Sequence, residues 1–396
     1  MRRFVADFGG VYAANALVAF VFAASGPVAI VLAVGARGGL SEADLSSWLF
    51  GAFFVNGLIS IGFCLWYRQP LVFFWTIPGA VLVGPALAHF SFAEVIGAYL
   101  ATGLLMLALG ISGWVRRAME AVPMPIVMGM VAGVFLRFGL DLVYALRDDF
   151  AIAVPMVFAF VLLSCWTSLG RMLPPLIGAL IAGGVAIFLF GKFEPANQVV
   201  LSVIQPGLYV PAFSWPAMVE LVVPLAITVL VVQNGQGIAV LTAAGHAPPV
   251  DTIAIGCGAS SIVSAFVGAV PTCLTGPVNA IISASGERQG QYTAGVVVGV
   301  LAVGFGLAAP LVTRLMLSTP PAFIATLAGL AMLRVLQGAF AVAFQGRFTL
   351  GALVTFLVTV AGIPVLNIGA PFWALIAGTL VSVLLERADW RDKAQP

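Results

Sequence analysis

Long apolar runs separated by short polar or charged punctuation dominate the chain. A helix needs about 17–25 apolar residues to cross the hydrocarbon of a bilayer. Reading between charges, Pro/Gly turns and polar clusters predicts helices at 10–34, 46–66, 93–115, 122–141, 150–168, 173–191, 217–242, 250–268, 289–313, 320–337, 347–364 and 370–386. Two further apolar stretches resist a full helix: 71–89 is cut by Pro78 and Pro85, and 269–285 by Pro271 and Pro277. Proline inside a helix removes a hydrogen bond and clashes with the preceding turn. Each stretch is therefore predicted as a short extended piece followed by a half-helix. Counted as crossings, the two bring the total to 14 spans, an all-α polytopic membrane protein with spans 3 and 10 broken.

Composition removes the competing classes. Of 396 residues, 62% are hydrophobic and 8% charged, and the mean hydropathy is +1.13. A water-facing surface takes roughly 25% charged residues. A soluble enzyme, a nucleic-acid binder and a disordered chain are excluded, and the compatible solvent is lipid. The net charge of +2 implies no nucleic-acid partner. Cys64, Cys165, Cys257 and Cys273 lie in apolar stretches without a CxxC, and read as small buried hydrophobes. No nucleophile–base pair, phosphate loop or metal cluster is legible, so neither catalysis nor a cofactor is expected. Asp7 follows Met1-Arg2-Arg3 without a small-residue cleavage pattern, so the first apolar segment reads as a span.

Charge sets the orientation. With the N-terminus inside, the inner ends hold Arg2, Arg3, Arg68, Arg116, Arg117, Arg171, Arg288, Arg334, Arg347, Arg387, Arg391 and Lys393, against Arg37, Arg137, Arg147, Lys192 and Arg314 outside. Cytoplasmic loops carry the excess of Lys and Arg, so both termini are expected on the cytoplasmic side.

The sequence nearly repeats at half its length. Residues 179–183 (ALIAG) recur at 374–378, Pro123 and Leu136-Arg137 recur as Pro320 and Leu333-Arg334, and Thr76-Ile77-Pro78 recurs as Thr275-Gly276-Pro277. Seven crossings per copy is odd, so the second copy enters from the opposite face, an inverted repeat typical of secondary transporters. The expected division is 1–198 and 199–396. Paired interrupted spans are the pointer to a binding site in such proteins.

Thr before Pro is a good helix start, because the hydroxyl caps free amides and proline tolerates the first turn. Each half-helix then offers unpaired N–H groups and a partial positive charge, so the two ends are expected to face a shared cavity that suits an anion. Candidate binding residues are Thr76, Pro78, Gly79 and Ala80 at the first break and Thr275, Gly276, Pro277, Val278 and Asn279 at the second. Gly79 and Gly276 are expected to let a ligand approach the backbone. Phe73 and Trp75 offer a flat apolar wall suited to a small aromatic carboxylate. Gln233, Asn234 and Gln236 are costly in lipid unless they face protein, water or ligand; Asn15 occupies the matching region of the first span. Asn56 and Asn367 read as glue between helices. His89 and His246 read as incidental, and Glu94, Glu220 and Glu287 as carboxylates near span ends.

Two segments carry a family resemblance. Residues 74–80 (FWTIPGA) are similar to a W-S-T-P-G-A break, and 233–241 (QNGQGIAVL) with Ala244-Gly245 and Pro248-Pro249 resembles a Q-N-x-x-G-I-x-V-L…A-G…P-P segment. Both belong to the benzoate/proton symporter (BenE) family. The resemblance implies proton-coupled uptake of benzoate or a related carboxylate across a bacterial inner membrane. Through the wider uracil-permease and sulfate-permease-like relatives it implies a core domain (about 10–118 and 217–314), a gate domain (about 122–191 and 320–386) and a homodimer. Where the family tends to have a His and then Asn-Leu-Ala, this chain has 271–277 (PTCLTGP), so no coupling residue carries over. A nucleobase or inorganic-anion carrier on the same scaffold, and a channel-like or structural membrane protein, remain the alternatives.

Overall fold

The computed structural model describes residues 2–166, 173–192, 204–284, 286–366 and 368–393. A short α1 (Arg2–Asp7) leads into α2 (Gly10–Arg37), which breaks at Ser25 ahead of Pro27. α3 (Glu42–Tyr67) starts on a capping box, Ser41 with Asp44, and loosens to a π-turn at Gly51–Val55. Then come β1 (Phe73–Trp75), α4 (Ile77–Ala86), α5 (Phe92–Ser112), α6 (Val115–Ala121), α7 (Met124–Asp148), α8 (Phe150–Cys165) and α9 (Pro175–Leu189). The remaining elements are α10 (Trp215–Ala243), with a π-turn at Thr228–Asn234, α11 (Val250–Phe266), β2 (Thr272–Leu274), α12 (Gly276–Ile282), α13 (Gln291–Leu307), α14 (Ala309–Leu317), α15 (Pro321–Ala343), α16 (Thr349–Ala361), α17 (Ala370–Leu385) and α18 (Arg387–Lys393).

The all-α membrane architecture read from the sequence is what the structure has. Among the described residues, six helices of 21–29 residues are long and apolar enough to cross a bilayer: α2, α3, α5, α7, α10 and α15. Six shorter apolar helices of 10–17 residues accompany them, α4 among them. The expected single span 289–313 is instead α13 and α14, bent by 67° just before Pro310. The expected 122–141 and 320–337 run on to Asp148 and Ala343. Arg137 and Arg334 therefore sit inside helices rather than at their ends, both exposed. A charge stops an apolar run but not the backbone ladder, and nothing that breaks a helix follows either arginine closely. Asn367 and Arg171 lie outside the described residues.

Packing brings the two halves of the chain into one another. α5 lies along α11 and α3 along α13, α7 along α15, and the pairs α8–α9 and α16–α17 pack side by side. Small residues permit the close approaches. A Cβ at Gly57 would lie 2.7 Å from the Gly299 carbonyl, and one at Gly258 2.8 Å from the Gly103 carbonyl. The segment before α10 is pinned on the outside of this set. The Tyr209 hydroxyl donates to Asp44 Oδ1 at 2.6 Å, and burial beside that carboxylate pushes the phenol well above its ordinary range.

At the centre the two broken stretches meet as strands. β1 and β2 pair antiparallel, Phe73 with Leu274, Phe74 with Cys273 and Trp75 with Thr272. The pairing continues past both ends, Thr76 N donating to Pro271 O at 3.0 Å and Thr275 N to Val72 O at 3.2 Å. A two-stranded ladder leaves outward amides that must find partners away from water. Side chains of the neighbouring helices supply them. Ser60 Oγ accepts from Phe73 N at 2.8 Å and Ser261 Oγ from Thr272 N at 2.9 Å.

Candidate functional site: the strand pair and the two half-helix starts

The half-helices α4 and α12 begin where the strands end, so antiparallel pairing sends them off in opposite directions. Thr76 lies level with Pro271 and Thr275 with Val72. From 271 to 275 the ladder extends about 13 Å at the usual rise of a strand. The two starts therefore do not meet tip to tip; they face back along a shared ladder, one at each end. α2 and α10 flank both. The first part of α2 packs on α12 and its last part on α4, while the first part of α10 packs on α4 and its last part on α12.

The two starts are built differently. Thr76 caps α4, its Oγ1 accepting from Gly79 N at 3.1 Å and donating to Thr228 Oγ1 at 3.3 Å. Pro78 and Ala80 continue this buried first turn. A Cβ at Gly79 would run into Thr76 Cγ2 and stand 3.0 Å from Leu225 Cδ2. Protein fills that space, so Gly79 serves the cap rather than the approach of a ligand. Thr275 makes no side-chain cap to α12. Its carbonyl accepts from Asn279 Nδ2 at 2.7 Å. A Cβ on Gly276 would come 2.6 Å from Gln236 Oε1, which puts the exposed Gln236 amide directly over the start of α12. Pro277 and Val278 complete that turn, Pro277 half-buried and Val278 buried.

Two of the expected binding amides are spent on the framework. Asn234 Oδ1 accepts from Leu274 N at 2.7 Å, and its Nδ2 faces Cys257 Sγ at 3.5 Å. Asn279 Oδ1 accepts from Val72 N at 3.0 Å, and its Nδ2 also donates to Val72 O at 3.1 Å. Gln233 is buried beside Asn234 in the π-turn of α10. Asn15 is half-buried on the part of α2 that packs on α12. Asn56 bonds within its own helix, Nδ2 to Ala52 O at 2.8 Å, rather than between helices as expected. Cys64, Cys257 and Cys273 are buried, whereas Cys165 is exposed at the end of α8.

An aromatic cluster lies against β1. The Phe53 ring is 4.8 Å from Trp75, 5.4 Å from Phe74 and 4.3 Å from Phe305, and Phe20 is 5.7 Å from Phe305. Phe73 packs instead on Phe63, at 4.8 Å. Phe20, Phe53 and Phe305 were not legible as site residues, because an aromatic in a lipid-spanning run carries no signal of which way it faces. Two polar atoms here find no partner among the described residues: Trp75 Nε1 and Thr272 Oγ1, both buried on residues paired across the ladder.

A second polar constellation was missed altogether. His89 Nε2 lies 3.0 Å from Glu220 Oε2, and the same oxygen accepts from Gly369 N at 2.5 Å. His89, read as incidental, and Glu220, read as a boundary carboxylate, are thus one pair, Glu220 buried and His89 exposed. His246 is likewise engaged, its Nε2 2.7 Å from Gln291 Oε1.

A bundle of apolar helices around a short antiparallel strand pair, with two half-helices leaving its ends, is a fold shared with solved structures of membrane transporters. The transmembrane domain of a cyanobacterial bicarbonate transporter, BicA, matches 92% of this chain and 97% of its own at a TM-score of 0.63 and 17% identity. The overall structure of SLC26A9 matches 93% of this chain and 64% of its own at a TM-score of 0.63 and 14% identity. In sequence, residues 8–384 match the family model described as benzoate membrane transport protein, BenE. The chain belongs to that family and is a multi-pass membrane transporter. Relatives include the inner membrane protein YdcO of Escherichia coli, 30% identical over 90% of this chain and 91% of that one. The benzoate membrane transport protein of Acinetobacter baylyi is 27% identical over 91% of each chain.

Proposed function

We propose that this transporter carries benzoate or a related small aromatic carboxylate inward together with a proton. The observation that carries the substrate class is the uncapped start of α12 under the exposed Gln236 amide. Free helix-start amides favour negative charge. The orphaned Trp75 N–H supplies a further donor, and the Phe53–Trp75–Phe305 cluster offers an apolar surface for an aromatic ring. The Acinetobacter relative, a benzoate membrane transport protein, supports the same class.

The carrier is read as two inverted repeats of seven crossings, 1–198 and 199–396, in a bacterial inner membrane with both termini cytoplasmic. The packing supports this, because the relations of α2 to α4 and α12 recur for α10 with the halves exchanged. Residues of about 10–118 and 217–314 form the carrying core and about 122–191 and 320–386 the gate, in a homodimer. The carboxylate is held alongside the ladder and moves with the core past the gate.

Uptake of radiolabelled benzoate into proteoliposomes, with and without an inward proton gradient, tests both parts. Saturable, gradient-stimulated uptake is expected. Uptake indifferent to the gradient sinks the coupling. Failure to bind or carry any aromatic acid, with competition by bicarbonate or uracil, sinks the substrate class in favour of the inorganic-anion or nucleobase carrier.

A further inference from the structure

The buried carboxylate placed to carry a proton lies away from the ladder. Glu220 is buried to 4% exposure in the first turns of α10. A carboxylate so placed must be paired or bonded to remain charged. Its Oε2 holds two partners from different parts of the molecule. His89, just past the end of α4, is 3.0 Å away. The other partner is the amide of Gly369, the residue that opens α17, where the helix dipole is positive. Gly369 has ordinary extended backbone angles, φ −66 and ψ 156, which any residue can adopt. What it cannot carry is a side chain: a Cβ would collide with Glu220 Oε1 and stand 2.7 Å from its Cδ. Glycine here is required by the carboxylate, not by the turn.

We infer that Glu220 is the proton-accepting group of this transporter, and that its charge state fastens or frees α10 and α4 from α17. The inference rests on the proposed proton-coupled reading, in which α4 and α10 belong to the moving core and α17 to the gate. As a carboxylate, Glu220 accepts from Gly369 N–H and from His89, and the two parts are clasped. When Glu220 takes up a proton it loses its charge, its bonds from Gly369 N–H and His89 weaken from charge-assisted to neutral ones, and the clasp loosens. Release of the proton restores it. Other titratable groups facing the pair are few. α5 brings Glu94, whose carboxylate accepts from Ser91 N and Ser91 Oγ and lies near enough to His89 to interact electrostatically; the buried Tyr99 is on the same helix. α4 and α17 contribute none.

The test uses the full chain in proteoliposomes with radiolabelled benzoate. A one-unit inward proton gradient can accumulate substrate about tenfold for one proton per substrate. Glu220→Gln is expected to keep benzoate counterflow within about twofold and to lose the gradient's tenfold accumulation. Gradient-driven accumulation persisting in Glu220→Gln overturns the inference, as does loss of counterflow in a variant that melts like the wild type. Should Glu220→Gln not fold, Gly369→Ala carries the test with the carboxylate intact. Its methyl pushes the carboxylate off the Gly369 amide, so the pH profile of uptake should shift, and an unmoved profile overturns the clasp. An infrared carboxylic C=O band that grows on acidification of the substrate-free protein and disappears in Glu220→Gln is the readout independent of benzoate. Its absence in the wild type also overturns the assignment. Wild-type uptake indifferent to the gradient sinks the coupled reading alone, and so stands apart from a wild type that responds and a Glu220→Gln that responds equally.

Discussion

Single atoms decide the candidate site. The Trp75 ring packs on Phe53 while its N–H has no partner among the described residues, a state that costs free energy in a dry interior unless a ligand engages it. Trp75→Phe keeps an aromatic ring against Phe53 and removes the donor together with part of the indole. A hydrogen bond to a charged group contributes about 1.5–3 kcal/mol, so benzoate affinity measured by calorimetry should weaken at least tenfold. An unchanged Kd would show that the N–H does not touch the carboxylate. Gln236 is the second decisive residue. Its amide lies on Gly276, and Gln236→Leu should raise the KM for uptake while leaving thermal unfolding in detergent near the wild type, because the side chain is exposed.

Elements are held in place by side chains that cap strands rather than helices. Asn279 serves three backbone groups across two elements, Val72 N–H, Val72 C=O and Thr275 C=O. Asn279→Ala leaves Val72 N–H and Thr275 C=O buried and unpaired, at about 1–3 kcal/mol each, while Val72 C=O keeps its bond from Thr275 N–H, so the melting temperature in detergent should fall clearly. A neutral Asn279→Ala would mean the ladder tolerates orphaned groups. Ser60 and Ser261 do equivalent work for β1 and β2. Ser60→Ala and Ser261→Ala should lower the melting temperature by similar amounts, since each removes one acceptor from one strand amide. Both serines also bond the preceding turn of their own helices, Ser60 to Asn56 O and Ser261 to Cys257 O, which fixes where the hydroxyl points.

For the whole molecule the question is what moves against what. Two polar links join α2, α4 and α10 to the long α7 and to α17: the Arg37–Asp141 ion pair at 2.7 Å and the Glu220 clasp. The ion pair is half-exposed and by itself contributes little to stability, under about 1 kcal/mol. Its value is as a marker of the seam. In a Cys165→Ser background, Arg37→Cys with Asp141→Cys joined by a short bifunctional thiol reagent should stop benzoate uptake, and cleaving the linker should restore it. Full activity with the link in place would rule out relative motion at this seam. A cysteine introduced at Arg391 should react with an impermeant thiol reagent only from the cytoplasmic side.

The sequence by itself determined the solvent, the helices and the two breaks. Apolar run length, the depletion of charge and the prolines act locally, and a bilayer leaves the backbone few ways to satisfy its own bonds. It also marked the Thr-x-Pro starts, because a cap is read within a few residues. Only the tertiary structure decided what the marked residues face. Asn234 and Asn279 are polar in an apolar run whether they bind a ligand or a strand, and only their partners at Leu274 and Val72 separate the two. The antiparallel register moved the helix starts to opposite ends of the ladder, which no local pattern encodes. His89, Glu220 and Gly369 come from three elements far apart in the chain, and the spacing of each along its own helix is silent about the other two.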